Sequence, residues 1–149
     1  MIHVCAPSAG TRKTAAMGVQ LTKDSIDLGI VVRNADACLA FYRDVLGFEH
    51  IASGPMPGGS TMHRLMCGTS MIKLVVHDPV PEATSPRGGI AKATGYRYWT
   101  ISVSNVGEIV EACTAAGAKL RVPVSEIRPG VTIAIVEDPD GNWVEFLQQ

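Results

Sequence analysis

The sequence has no charge imbalance, no cysteine-pair motif and no long apolar run, and each gap excludes something. Lys and Arg number 13 against 14 Asp and Glu, a formal charge of −1, with no block of like charges. Nucleic acid binding needs a basic face, so no nucleic-acid partner is expected. No stretch approaches the ~20 apolar residues of a membrane span, so no membrane partner is expected either. The opening MIHVCAPSAGTRKTAAMG lacks a continuous apolar core and does not read as a secretory signal. Cys5, Cys38, Cys67 and Cys113 form neither a C-x-x-C pair nor a Cys-His cluster. Free thiols in a reducing cytoplasm are the expectation.

What is present is a repeat. The 149 residues suit one domain. Residues 1–24 mix Pro, Ser, Gly, Thr and Lys without periodicity and read as a flexible N-terminal extension. Ile26 to Val32 (IDLGIVV) is rich in β-branched residues and predicts a strand. Asn34 then offers an N-cap, with Asp36 in the first turn. Cys38, Leu39, Tyr42, Val45 and Leu46 recur at helical spacing, and Gly47 stops the helix. Strands are expected near residues 49–53, 61–67 and 71–77, separated by Gly58-Gly59 and Gly68-Thr69. Residues 79–95 (PVPEATSPRGGIAKATG) form a long linker with lid potential. The pattern then returns. A strand over 98–103 precedes a helix capped by Asn105, carrying Ile109, Val110 and Cys113 inward and stopped by Gly117. Strands near 119–122, 131–138 and 142–147 complete it, with Asp138-Pro139-Asp140-Gly141 as a tight turn. The two copies are offset by about 70 residues, the mark of an internal duplication.

The stretches GIVVRNADACLAFYRDVLGFE (Gly29–Glu49) and EDPDGNWVEFLQQ (Glu137–Gln149) resemble the vicinal oxygen chelate superfamily, of glyoxalase, bleomycin resistance protein and dioxygenase type. The resemblance spans nearly all of residues 26–149. It implies an α+β fold in which paired βαβββ modules, here 26–78 and 96–149 joined by loop 79–95, curl into a U-shaped cup within one domain, 25–149. It also implies a homodimer and a small-molecule ligand. In metal-using members four inward side chains ring the cup, from the first and fourth strands of each module. Matched residue by residue, those places fall on Asp27, Lys73, Tyr98 and Glu145.

Glu145 fits the family pattern, in which this residue is a metal ligand and often a base; the alternative is a carboxylate facing solvent. Asp27 is a permissible ligand of shorter reach. Tyr98 is a poor ligand at neutral pH because a phenol titrates near 10. Lys73 donates and never accepts while protonated. No cofactor is therefore expected, and a divalent metal, if bound, would rest on Asp27 and Glu145. Two converging carboxylates still need a countercharge. The Lys73 ammonium can supply it, with the Tyr98 hydroxyl as a further donor or acceptor; the bland alternative is an ion pair that only closes the cup. Glu145, Lys73 and Tyr98 thus form the candidate catalytic set.

Substrate contacts are expected from Asp27, His63, His77, Trp99 and Trp143. His63 and Arg64 alternate on one strand, so one of them faces inward. His77 shares the face of Lys73 by alternation. Trp99, Trp143, Tyr96 and Arg97 can clamp a planar or anionic ligand, or form core and dimer contacts. Two function classes remain. One is a lyase, isomerase or epimerase in which Glu145 abstracts a proton and Lys73 stabilises the developing anion. The other is a non-catalytic small-molecule or antibiotic-binding protein. The Glu-Lys-Tyr set favours the first; the incomplete ligand set and the 79–95 loop favour the second.

Overall fold

A computed structural model describes residues 18–149 of the chain. Most of the expected extension, residues 1–17 with Cys5, lies outside the described residues. The first module runs β1 (Leu28–Val31), α1 (Ala35–Leu39, continued by a π-helical turn over Ala40–Val45), β2 (Glu49–Met56), β3 (Ser60–Cys67) and β4 (Ser70–Val76). The second runs β5 (Tyr98–Ser102), α2 (Val106–Ala115), β6 (Leu120–Arg128), β7 (Val131–Glu137) and β8 (Trp143–Gln148). Each module makes a four-stranded sheet, in the orders β1-β4-β3-β2 and β5-β8-β7-β6. The first strand of each lies parallel to the last, and the remaining pairs are antiparallel. No helix among the described residues is long and apolar enough to cross a membrane.

The repeat in sequence is also a repeat in register. Leu28 stands opposite Ile72 and Gly29 opposite Lys73. In the second module Trp99 stands opposite Val144 and Thr100 opposite Glu145. Equivalent residues therefore occupy equivalent places on the two sheets.

Both helices and one face of each sheet share a single core. Cys38, Leu39, Phe41 and Tyr42 of the first helix meet Val106, Val110 and Cys113 of the second. Leu65, Ile72 and Leu74 close it from one sheet; Ala134, Val136, Val144 and Phe146 close it from the other. Each sheet turns its other face away from this core, because strand side chains alternate. Burial raises the Cys38 thiol to about 12 and the Cys113 thiol to about 11, so both stay protonated and act as small hydrophobes.

Local chemistry explains the elements and corrects some boundaries. The Asn34 side chain accepts from the Ala37 N–H at 3.0 Å, the expected cap. Asn105 makes no such bond; instead Gln148 reaches across from β8 and accepts from the Val106 N–H at 2.9 Å. The π turn arises where Leu46 N–H bonds back to Phe41 O and Phe48 N–H to Tyr42 O, and Gly47 follows with φ +76°. Strands β2 and β6 run longer than the sequence suggests. Pro55 and Pro123 fall inside these strands, which are sheet edges where a missing N–H costs no ladder bond.

One polar contact ties the modules together inside the core. The Tyr42 hydroxyl, fully buried, donates to Asp138 Oδ2 at 2.7 Å. Tyr42→Phe should lower stability by about 1–2 kcal/mol, because it leaves a buried carboxylate short of one donor. Urea denaturation at constant m-value measures this, and an unchanged midpoint would contradict it.

Candidate functional site

The first half of the site is on the core-free face of the first sheet. Lys73 alternates with buried Ile72 and Leu74, so it points away from the helices. Asp27 sits just ahead of β1. Its Oδ1 accepts from Lys23 Nζ at 2.5 Å and from the Met71 N–H at 3.0 Å, and its Oδ2 lies 3.8 Å from Lys73 Nζ. The Lys23 hydrogen bond chiefly, then the Met71 N–H, hold the Asp27 carboxyl below its ordinary 3.8, with Lys73 the smallest contributor. Lys23 thus does most of what was expected of Lys73.

The second half is the equivalent face of the second sheet. The Thr100 hydroxyl donates to Glu145 Oε2 at 2.5 Å across the β5–β8 ladder. Glu145 alternates with buried Val144 and Phe146, so it too points away from the core. Tyr98 pairs with Trp143, whose indole N–H donates to Glu137 Oε1 at 3.3 Å. Arg121 holds the same Glu137 oxygen at 2.8 Å, and this partner keeps the buried Glu137 ionised despite desolvation.

Between the edges of β1 and β5 runs a cleft of about 440 Å³ lined by Ile26–Ile30, Tyr96–Trp99, Asn142 and Trp143. Asp27, Tyr98, Trp99 and Trp143 therefore come to one place. Lys73 and Glu145 stand one strand further out, on β4 and β8. No ion pair among the described residues joins Lys73 to Glu145, so the expected three-way pairing is present only on its Asp27 side.

Trp99 is a wall more than a contact. Its ring packs 6.1 Å from Tyr42 and 6.5 Å from Phe48, and its buried Nε1 has no partner among the described residues. His63 departs furthest from expectation. It stands opposite Leu74 on the helix-side face, while Arg64, opposite Lys73, shares the free face. The reason is register, which alternation alone left open. His63 Nδ1 instead bonds Ser53 Oγ at 2.7 Å, and His50 Nε2 bonds the same oxygen at 2.9 Å. Desolvation lowers the His63 pKa from 6.5. His77 lies just past β4, bonded through Nδ1 to the buried Ser60 hydroxyl, outside the cleft.

A divalent metal does not suit these donors. One Asp27 oxygen already has two donors and the other faces an ammonium. Among the described residues no three His, Cys, Asp or Glu side chains gather in a metal-holding arrangement. The position across from Gly29 carries a cation of its own, which repels a second one.

If Lys23 is the chief countercharge, removing it must move Asp27 more than removing Lys73. Lys23→Ala should raise the Asp27 pKa towards its ordinary value, and Lys73→Met should raise it less, in carboxyl-carbon NMR titrations. The stabilisation from this carboxylate is present above the ordinary pKa and lost as pH falls through the depressed one. A larger shift in Lys73→Met would reverse the assignment.

Comparison with known proteins agrees with the geometry. The profile of the Glyoxalase/Bleomycin resistance protein/Dioxygenase superfamily matches residues 24–146. A glyoxalase family protein from Bacillus cereus superposes with TM-score 0.76 at 18% identity, over 89% of this chain and 98% of that one. One from Enterococcus faecalis gives 0.65 at 24%, over 85% and 98%. The trypanothione-dependent glyoxalase I of Leishmania major gives 0.63 at 24%, over 82% and 84%. At these identities the structural likeness speaks for fold alone. No curated protein matches the sequence.

Proposed function

Because the chain belongs to the Glyoxalase/Bleomycin resistance protein/Dioxygenase superfamily, we propose that it is a small-molecule enzyme of lyase, isomerase or epimerase type whose site is completed by a second copy. The observation that carries this reading is the equivalent placement of Lys73 and Glu145. Each lies on the free face one strand in from an unpaired edge, opposite Gly29 and Thr100 respectively. In an isologous dimer built edge to edge, the first sheet of one copy meets the second sheet of the other. That brings a cation and a carboxylate to opposite walls of one hollow, twice per dimer.

The edges themselves argue for a partner. Among the described residues no strand pairs with the outer side of β1 or β5. They present Ile26 at 83% exposure, Val31 at 52% and Tyr98 at 46%. Open apolar edges of this kind favour association.

In the composite hollow Glu145 takes a proton from a carbon acid, with the Thr100 hydroxyl fixing the orientation of its carboxylate. The Lys73 ammonium donates to the oxygen on which negative charge develops. Asp27, 3.8 Å from Lys73 Nζ, positions the ammonium, and the Tyr98 hydroxyl orients the substrate oxygen. No step passes through a metal. A second reading, ligand binding without turnover, draws support from the apolar lining of the cleft by Ile26, Leu28, Ile30 and Trp99.

Complementation separates these readings. Glu145→Gln and Lys73→Met should each abolish α-deuterium exchange from heavy water over a panel of 2-hydroxy carbonyl compounds. Mixing the two variants should restore about a quarter of the wild-type rate, since half of the dimers carry one intact site. Recovery to zero, with a dimer present by sedimentation, overturns the shared site. Exchange that survives in both variants overturns their roles, and tight binding without exchange in the wild type favours the second reading.

A further inference from the structure

A second cavity lies under the segment that joins the modules. It has a volume of about 390 Å³ and is walled by the end of β1, the turn before β8 and residues 80–97 as a roof. That is the lower end of the size range of small-molecule sites. The roof is built in place. Arg97 Nε donates to Gly89 O at 2.9 Å and its Nη2 to Pro86 O at 2.5 Å. Gly89 lies so close on the Trp143 ring that a Cβ would meet it at 2.1 Å, and its φ of +65° also demands glycine. Arg87 rests its Nη1 against Gly141, where a Cβ would stand 2.9 Å away.

The charge inside is one-sided. Arg33, Arg87 and Arg97 all line the cavity, and Asp140 is its single carboxylate. Asp140 Oδ2 is occupied by the Arg33 backbone N–H at 3.1 Å. Among the described residues none of the three guanidiniums forms an ion pair. Arg97 keeps Nη1 free of the bonds that hold the roof. Thr84, Ser85 and Trp143 also line the cavity.

We propose that this cavity is an oxyanion site, taking the carboxylate or phosphate of a small organic molecule against the Arg87 and Arg33 guanidiniums, with the molecule's body on Trp143. Guanidinium donors in a fixed fork recognise such groups in preference to a halide. The site shares Tyr96, Arg97, Asn142 and Trp143 with the edge cleft but contains neither Lys73 nor Glu145. It therefore stands whether or not the composite hollow is catalytic.

Tryptophan fluorescence reads occupancy, since Trp143 lines this cavity; because Trp143 and Trp99 also line the edge cleft, the arginine variants assign the response to this cavity. Titrating the 149-residue chain with inorganic phosphate, and separately with benzoate, at fixed ionic strength should change tryptophan fluorescence saturably, with chloride as the control. Arg87→Gln and Arg33→Gln should each weaken that affinity about tenfold, the worth of a charge-assisted hydrogen bond. Arg87→Lys should recover part of it, and circular dichroism should show all three variants folded. Lys73→Met should leave it unchanged. A stronger response to phosphate assigns the site to phosphate groups, and a stronger response to benzoate assigns it to carboxylates with an apolar body. A response no different from chloride, full affinity in Arg87→Gln, or its loss in Lys73→Met overturns the proposal.

Discussion

The bond between Tyr42 and Asp138 is the point on which both modules and the site depend. Asp138 is buried, and burial raises its pKa although four groups donate to it: the Asn142 backbone and side-chain N–H groups, the Asp140 N–H and the Tyr42 hydroxyl. Three of those donors belong to the turn that launches β8, the strand of Glu145. The fourth comes from the first module's helix. One carboxylate therefore sets where β8 begins and how the two modules meet. The same turn carries Asp140, which accepts from the Arg33 N–H just after β1. Any drift of this turn would move Glu145, Trp143 and the end of β1 together.

Duplication built two halves that share register but have come to differ in how they are held. Asn34 caps its own helix, whereas α2 borrows Gln148 from the neighbouring strand. The first helix ends in a π turn, where consecutive Phe41 and Tyr42 are both buried, and Phe41 packs edge-on against Tyr42 at 4.9 Å. The second helix stays regular. These differences fall where the modules touch. A symmetric pair would place like residues against like at that seam; here an aromatic cluster joins Tyr42 of the first helix and Phe48 just after it to Trp99 of β5.

Most of this architecture was legible in the sequence because it rests on periodicity and glycine stops. The duplication and the inward cysteines follow from alternation and spacing, and the places of Lys73 and Glu145 follow from the family resemblance. What stayed hidden depends on contacts between segments distant in sequence. The face of His63 needed the β3–β4 register, and the full lengths of β2 and β6 rest on their being sheet edges, which tolerate Pro55 and Pro123. Lys23 gave no signal because it precedes the first strand, in a stretch without period. The cavity under residues 80–97 could not be foreseen either, since only the folded roof brings Arg87 and Arg97 beside Arg33. Their residue type was a hint; their convergence was not.

Charge separates the proposed chemistry from that of a metal-using site. A metal-using site must leave its carboxylates free until the cation arrives, so that ion and ligands neutralise one another. Asp27 is already neutralised from within the chain, by Lys23 at 2.5 Å and Lys73 at 3.8 Å. Such a site pays for a divalent ion twice, once to displace the ammonium and once to desolvate it. The ammonium in turn offers what a Lewis acid offers, a fixed positive charge, but delivers it through N–H groups that can also give up a proton. Proton transfer and anion stabilisation, the chemistry proposed for this set of residues, therefore ask less rearrangement of it than binding a divalent ion would.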